Sequence, residues 1–431
     1  MRILLVAPFF PPHRAIASLR THSFAKVWAE AGHDVTVLTT IKRVEQSDLP
    51  LPTTGFRVEE VSYRVPRFLE RVRAGEHATR SSAQCTPHAP REDTITRSVM
   101  ATLSLAFPAL RWLKARTGIF AGVREPDLAD FWIAPATRWA LANGPWDVVV
   151  SSFGPPAAIR VGQAIKGRNR CRTWAIDFRD LWTENHLYGG LFPITLWERH
   201  LERRALKGAD RLVTVSPGLA KRLSARSGKP VEVIYNGYDP EGFANLDPTP
   251  AFPIDGKQRL VYTGTLYAAG QDANGLCAAV AAEPGATLVV ASEQADLWHG
   301  LAKKYGLRDQ LDFRGSVPRA EALRLQRDAS ALILLDWRDP RQGVMTGKVF
   351  EYLLSPAPIW VLGGATDSPV ARLVKEAGRG ISLGRDVGRM RTAIQALAAG
   401  GNAGLKANME FIAGLSREAQ ALKFLKVLEE G

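Results

Sequence analysis

Short apolar runs separated by segments of helical period recur along this chain, and the alternation constrains its fold more than any other feature. In the first half the runs fall at residues 3–7, 35–39, 146–150, 173–176, 211–215 and 231–235, with helical patterns at 18–31 and 197–209 among them. A run too short for a helix, then a helix, then another run is the pattern of parallel strands joined by crossover helices. Proline-rich sequence follows, through Asp239-Pro240, Asp247-Pro248, Thr249-Pro250 and Pro253, and marks a linker. The alternation then restarts at 260–262, 287–291, 311–313 and 331–335. A chain of 431 residues that is 46% hydrophobic is too long for one compact core and rich enough for two. A last helix is expected from Ser416 onward, with Ala419, Leu422, Phe424, Leu425 and Leu428 at helical spacing.

The formal charge of +13 implies an anionic partner. Arg64, Arg67, Arg71, Arg73, Arg80, Arg91, Arg97, Arg111, Lys114 and Arg116 crowd into residues 64–130, interleaved with apolar side chains such as Phe68, Leu103 and Trp112. Two readings stand: basic amphipathic helices lying on anionic headgroups, or a solvated helical insertion packed on its own domain. Nucleic acid is not expected, because no binding motif accompanies the charge. Cys85, Cys171 and Cys277 are dispersed and odd in number, which suggests neither a disulfide framework nor a zinc site and fits a reducing compartment. Residues 1–7 resemble a short signal segment, but Pro8-Phe9-Phe10-Pro11-Pro12 follow instead of small cleavage residues, so they read as the first strand. The longest apolar stretch, 101–110, is too short to cross a bilayer and contains Pro108. A cytoplasmic protein is expected, soluble or peripheral on the inner face of the cytoplasmic membrane.

The stretch Thr346-Gly347-Lys348-Val349-Phe350-Glu351-Tyr352-Leu353 follows the apolar run 331–335. A helix starting near Thr346 would turn free N–H groups toward an anion, with Gly347 allowing close approach and Lys348 adding a full charge. Glu351, three residues on, can accept two hydrogen bonds from a vicinal diol such as a ribose. The same residues also fit an ordinary helix start with an i,i+3 Lys–Glu pair.

With Val233-Ile234-Tyr235-Asn236-Gly237-Tyr238-Asp239, Tyr262-Thr263-Gly264-Thr265-Leu266 and Gly347-Lys348-Val349-Phe350-Glu351-Tyr352-Leu353 in this order, the chain resembles a GT-B glycosyltransferase. Within that fold it is similar to glycosyltransferase family four, the retaining group that uses nucleotide-activated sugars. Gly32-His33-Asp34-Val35-Thr36-Val37, the stretch from Ala209 to Ser216, and Phe313-Arg314-Gly315-Ser316-Val317 also resemble family segments. The resemblance implies an α/β fold of two Rossmann-like domains facing a cleft. These are an acceptor domain over 1–240, carrying the basic, partly helical insertion at 64–130, and a donor domain over 241–412. A C-terminal helix over 413–431 would pack back on the first domain.

Carried over residue by residue, Glu351 matches the second carboxylate of the family's Glu-x7-Glu motif, which implies a ribose contact, while Gly343 stands in place of the first. Gly264 and Thr265 match a turn where the backbone nears the phosphates; the frequent Arg is here Thr265, which throws phosphate charge onto Lys348. The implied donor-binding set is Gly264, Thr265, Gly315, Ser316, Val317, Thr346, Gly347, Lys348, Val349 and Glu351. On the acceptor side, Ala15 and Ile16 replace a common glycine pair, and His13, Arg14 and Arg20 lie in or just after that loop, the two arginines placed to reach a phosphate. Ser152 and Gly154, from Ser151-Ser152-Phe153-Gly154-Pro155-Pro156, and Trp182, from Asp177-Phe178-Arg179-Asp180-Leu181-Trp182, resemble loops of one bacterial subgroup and complete the acceptor set.

Transfer requires stabilising the leaving diphosphate and removing the acceptor's proton. The expected catalytic residues are Lys348 for the first task and Asp180, beside Arg179, for holding the acceptor hydroxyl; Asp180 fits a loop ion pair with Arg179 equally well. No Asp-x-Asp pair follows a strand, so neither metal nor other cofactor is expected, the nucleoside diphosphate sugar being a co-substrate. The expected acceptor is a lipid-linked or growing glycan, with peripheral contact to anionic membrane. Alternatives are a soluble transferase acting on a small molecule or protein, a nucleotide-sugar 2-epimerase, and a non-catalytic GT-B scaffold.

Overall fold

The computed structural model describes residues 1–13, 15–42, 49–65, 112–114, 116–185, 188–244, 246–268, 270–338, 345–401 and 405–430. Arg14, Gly343 and most of the basic insertion lie outside the described residues. The chain divides into two units, one of Met1–Thr214, Arg222–Glu232 and Leu425–Gly431, the other of Val215–Lys221 and Val233–Phe424.

The first sheet has seven strands: β1 (Arg2–Val6), β2 (Asp34–Thr40), β3 (Arg57–Val61), β4 (Trp146–Ser152), β5 (Cys171–Phe178), β6 (Arg211–Thr214) and β7 (Glu232–Val233). Their order is β3-β2-β1-β4-β5-β6-β7. β1 runs parallel to β2 on one side and to β4 on the other, with Ile3 opposite Val35 and Val148. Helices α1 (Ile16–Glu30), α2 (Asp130–Asn143), α3 (Ala157–Lys166) and α4 (Ile194–Gly208) belong to this unit. The expected strands and the helical patterns at 18–31 and 197–209 fall on observed elements, although β7 is shorter than its apolar run. β3 was not anticipated: Glu59 and Glu60 interrupt its apolar pattern, as an edge position permits.

The second unit holds β8 (Gln258–Thr263), β9 (Ala286–Ala291), β10 (Leu311–Gly315), β11 (Ala331–Leu335), β12 (Ile359–Leu362) and β13 (Gly380–Gly384), in the order β10-β9-β8-β11-β12-β13. Alternate side chains feed opposite faces. Val261, Val289, Leu332 and Leu334 enter one core, and Leu260, Leu288, Ile333 and Leu335 the other. Both faces are therefore buried, which explains the near-continuous apolar runs of these strands. The helices that matter below are α5 (Arg319–Arg327), α6 (Lys348–Tyr352) and α7 (Arg417–Glu429). As expected, Ser416 starts α7, its Oγ accepting from the Ala419 N–H at 3.1 Å. In the first unit, the side chain of Arg211 donates to the carbonyls of Val427 (3.3 Å) and Glu430 (2.9 Å).

In each sheet the order reverses direction beside its first strand, between β1 and β4 and between β8 and β11. Such switch points, at the carboxyl ends of parallel strands, are where open α/β sheets bind ligands. Two Rossmann-like units of this kind, one after the other, make up the GT-B fold.

Candidate functional site

At the switch point of the second unit, β8 ends in the turn Gly264-Thr265-Leu266. Gln294 pins the turn, accepting from the Leu266 N–H (2.7 Å) and donating to the Leu266 carbonyl (3.0 Å). Gly264 has φ +93°, and a Cβ there would meet Lys348 Cε at 2.9 Å. Only glycine suits both the backbone and the lysine that crosses it. Lys348 donates to Tyr262 Oη at 2.8 Å and to the Thr265 carbonyl at 3.1 Å, with its ammonium 4.1 Å from the Tyr262 ring centroid. Tyr262 in turn donates to the Thr265 carbonyl at 2.7 Å.

These contacts are all neutral, and burial pushes the Lys348 ammonium down to about 7. Lys348 therefore does not form the i,i+3 pair with Glu351. Glu351 instead meets Arg319, the first residue of α5, at 3.0 Å. Arg417 lies in the same field: burial lowers its pKa, Arg319 lowers it further, and Asp239 and Glu351 raise it.

Tyr352, fully buried, fixes α6 to β8 by accepting from the Thr263 N–H at 3.1 Å. Gln326 of α5 bonds the Thr263 hydroxyl at 3.2 Å. Three elements thus meet rigidly around Lys348 and Glu351. Val349 is buried in the core, and Val317 packs against it. Gly315 takes φ +67° with open space where a side chain would stand. One expectation needs correcting. α6 is a single turn and Gly347 is right-handed, φ −63°, so the dipole of a long helix is not available at Thr346 and Gly347. The positive charge here is that of side chains.

In the first unit, three residues expected near the acceptor belong to the scaffold. Arg20 makes a buried two-pronged pair with Asp177, at 3.0 and 2.7 Å, so its guanidinium does not reach out to a phosphate. Ser152 donates to the same carboxylate at 3.4 Å. Trp182 is fully buried and donates to Glu198 at 3.2 Å, which leaves no face for a ligand. The pattern that signalled a ligand loop records the packing of the ends of β4 and β5.

Arg179 donates to the carbonyls of Phe153 (2.8 Å) and Gly154 (2.6 Å). At Gly154, φ +90°, a Cβ would meet the Arg179 guanidinium at 2.7 Å. Asp180 is partly exposed, and burial of its carboxyl outweighs the pull of Arg179 and lifts its pKa to about 6. His13 stacks on Phe9, with centroids 5.1 Å apart.

Sequence reasoning missed Tyr262, Arg319 and Arg417. Tyr262 looks like any strand aromatic, and the two arginines lie far along the chain from Glu351.

Residues 85–241 match the sequence model of Glycosyltransferase Family 4. No curated protein sequence matches the chain. Sucrose-phosphate synthase (tll1590) from Thermosynechococcus elongatus is similar in structure, with a TM-score of 0.62 at 14% identity over 99% of this chain and 98% of that one. Anabaena Alr3699/HepE, in complex with UDP-glucose, gives 0.61 at 13% identity over 100% of both chains. The lipopolysaccharide outer core galactosyltransferase WaaB, in its apo form, gives 0.56 at 10% identity over 100% of this chain and 99% of that one. The match over residues 85–241 and the fold together support a glycosyltransferase of GT-B fold, similar to Glycosyltransferase Family 4 over that segment.

Proposed function

We propose that the protein is a retaining glycosyltransferase that moves a sugar from a nucleoside diphosphate donor to a lipid-linked or polysaccharide acceptor in bacterial glycan biosynthesis, at the inner face of the cytoplasmic membrane. One observation carries this reading: Lys348 is held among neutral oxygens at a β–α switch point, with no carboxylate among the described residues to neutralise it. A desolvated cation of this kind is poorly stabilised until an anion arrives. The donor's diphosphate supplies that anion at the Gly264-Thr265 turn, and Glu351 takes the ribose diol. Alr3699/HepE, of similar fold, holds UDP-glucose, which makes a uridine nucleotide the first donor to try.

The leaving diphosphate gathers negative charge as the glycosidic bond breaks, and Lys348 opposes that charge more strongly than it does the ground state. The chemistry is proposed to need no metal. The Lys348 cation would do the electrostatic work that a metal ion otherwise supplies. Asp180 holds the acceptor hydroxyl, its carboxylate kept from salt-bridging by Arg179's engagement with two carbonyls. The leaving phosphate takes the proton.

Thermal shift with UDP, ADP, GDP, CDP and dTDP tests the donor assignment. A ligand at a hundred times its Kd stabilises the native state by ~2.7 kcal/mol, so one nucleotide should raise the Tm of the wild type and not that of Lys348→Met. No shift with any nucleotide, or equal shifts in both proteins, would reject the reading.

A further inference from the structure

Helix α4 has an unusual charge arrangement. Its two acids, Glu198 and Glu202, are both completely buried. Arg124 pairs with Glu198 at 3.3 Å and Arg226 with Glu202 at 2.6 Å, and burial raises the pKa of both carboxyls. An ordinary surface helix buries apolar residues and leaves its acids in water. Here the outward face keeps Arg199, Arg203, Arg204 and Lys207, all exposed, and shows no acid.

Large apolar side chains stand at the start of the same helix. Phe192 is 76% exposed, and Leu196 and Trp197 are each 54% exposed. The loop before the helix is tied down where the Gly190 N–H bonds the Thr117 carbonyl at 3.1 Å. Exposed aromatic and aliphatic side chains at the start of the helix, with Trp197 stacked on His200, are followed by long cations.

We infer that the outward face of α4, with Phe192, is a docking surface for an anionic lipid bilayer. A fluid surface closes around each projecting side chain, which a rigid partner cannot do, and anionic headgroups match the run of uncompensated cations. Tryptophan is favoured at the headgroup boundary, and a helix with apolar tips and a basic flank lies in that plane. This differs from the sequence-based expectation, which put membrane contact in residues 64–130. It does not depend on the donor site.

Vesicle flotation at low salt tests the inference, comparing phosphatidylcholine vesicles with vesicles containing about one third phosphatidylglycerol. The full chain should float only with the anionic vesicles. At about fivefold per basic residue, the Arg199→Gln/Arg203→Gln/Arg204→Gln variant should partition roughly a hundredfold more weakly. Leu196→Ser/Trp197→Ser should lose binding that added salt cannot restore to the wild type's level. Both variants change exposed side chains only, so their melting temperatures should equal that of the wild type, which separates lost docking from lost folding. Failure of the wild type to float, or flotation of both variants like the wild type, overturns the inference. Nucleotide binding by the same variants reports on the donor site independently.

Discussion

Donor affinity should depend steeply on pH between 6 and 8, because Lys348 titrates there in the free protein. Burial has lowered its pKa to about 7 without help from any charge. A bound diphosphate restores an opposite charge and returns the pKa toward the ordinary lysine value. The sign follows directly. Below about 7 the site is already protonated and binding is strongest; above it, binding must also take up a proton, and affinity falls.

The charged fraction drops from about nine-tenths at pH 6 to about one-tenth at pH 8, a tenfold loss of affinity or ~1.4 kcal/mol. Isothermal titration with UDP-glucose, or with whichever nucleotide sugar stabilises the protein most, measures this when run in two buffers of different ionisation enthalpy. Proton uptake should rise from about one-tenth to about nine-tenths of a proton per site across that range. Lys348→Arg, charged at every pH, should bind without the slope, and Lys348→Met should bind weakly throughout. A flat affinity profile in the wild type, or an unchanged slope in Lys348→Met, would refute the reasoning.

The buried pair of the first unit offers a stability test. Asp177→Asn removes the buried carboxylate that Arg20 pairs with at near-zero exposure and should cost about 3–5 kcal/mol in urea unfolding, while the double change Arg20→Met/Asp177→Leu should recover most of it. Glu351→Ala should weaken nucleotide binding about tenfold to a hundredfold by removing a charged hydrogen-bond acceptor. Its partly exposed pair with Arg319 is worth at most about 1 kcal/mol, so the melting curve should barely move. Asp180 must be ionised to accept the acceptor's hydrogen bond, so kcat should fall as pH drops below about 6; Asp180→Asn should lower kcat and remove that acidic limb from the pH–rate profile.

The strands buried on both faces were legible because such strands show as unbroken apolar runs, and β11 has the bounds its sequence suggested. Edge strand β3 was hidden by its glutamates. The geometry around Lys348 was not legible. Pro356 follows α6 closely and helps hold it to one turn, which the pattern 346–353 does not reveal. Arg20 looked available for a phosphate because nothing local shows that Asp177, 157 residues away, stands opposite it. Trp182 was misread for the same reason. A side chain's partner is set by the tertiary fold, and these residues have partners that no sequence window contains.

The two switch points differ in charge, and the proposed division of tasks rests on that difference. At the first, Arg20 is matched by Asp177, and Arg179 spends its donors on two carbonyls with Asp180 alongside. That end of the sheet is balanced, and it suits a neutral hydroxyl better than an anion. At the second, Glu351 answers Arg319 and Asp239 lies 3.8 Å from Arg417, while among the described residues Lys348 is answered by a phenol and a carbonyl. The unpaired charge lies where a diphosphate can complete it. A protein with no anionic ligand would gain by replacing Lys348 with an apolar side chain, since a desolvated ammonium among neutral groups costs stability. Its place next to a glycine whose missing Cβ leaves room for it is what the proposed diphosphate site calls for.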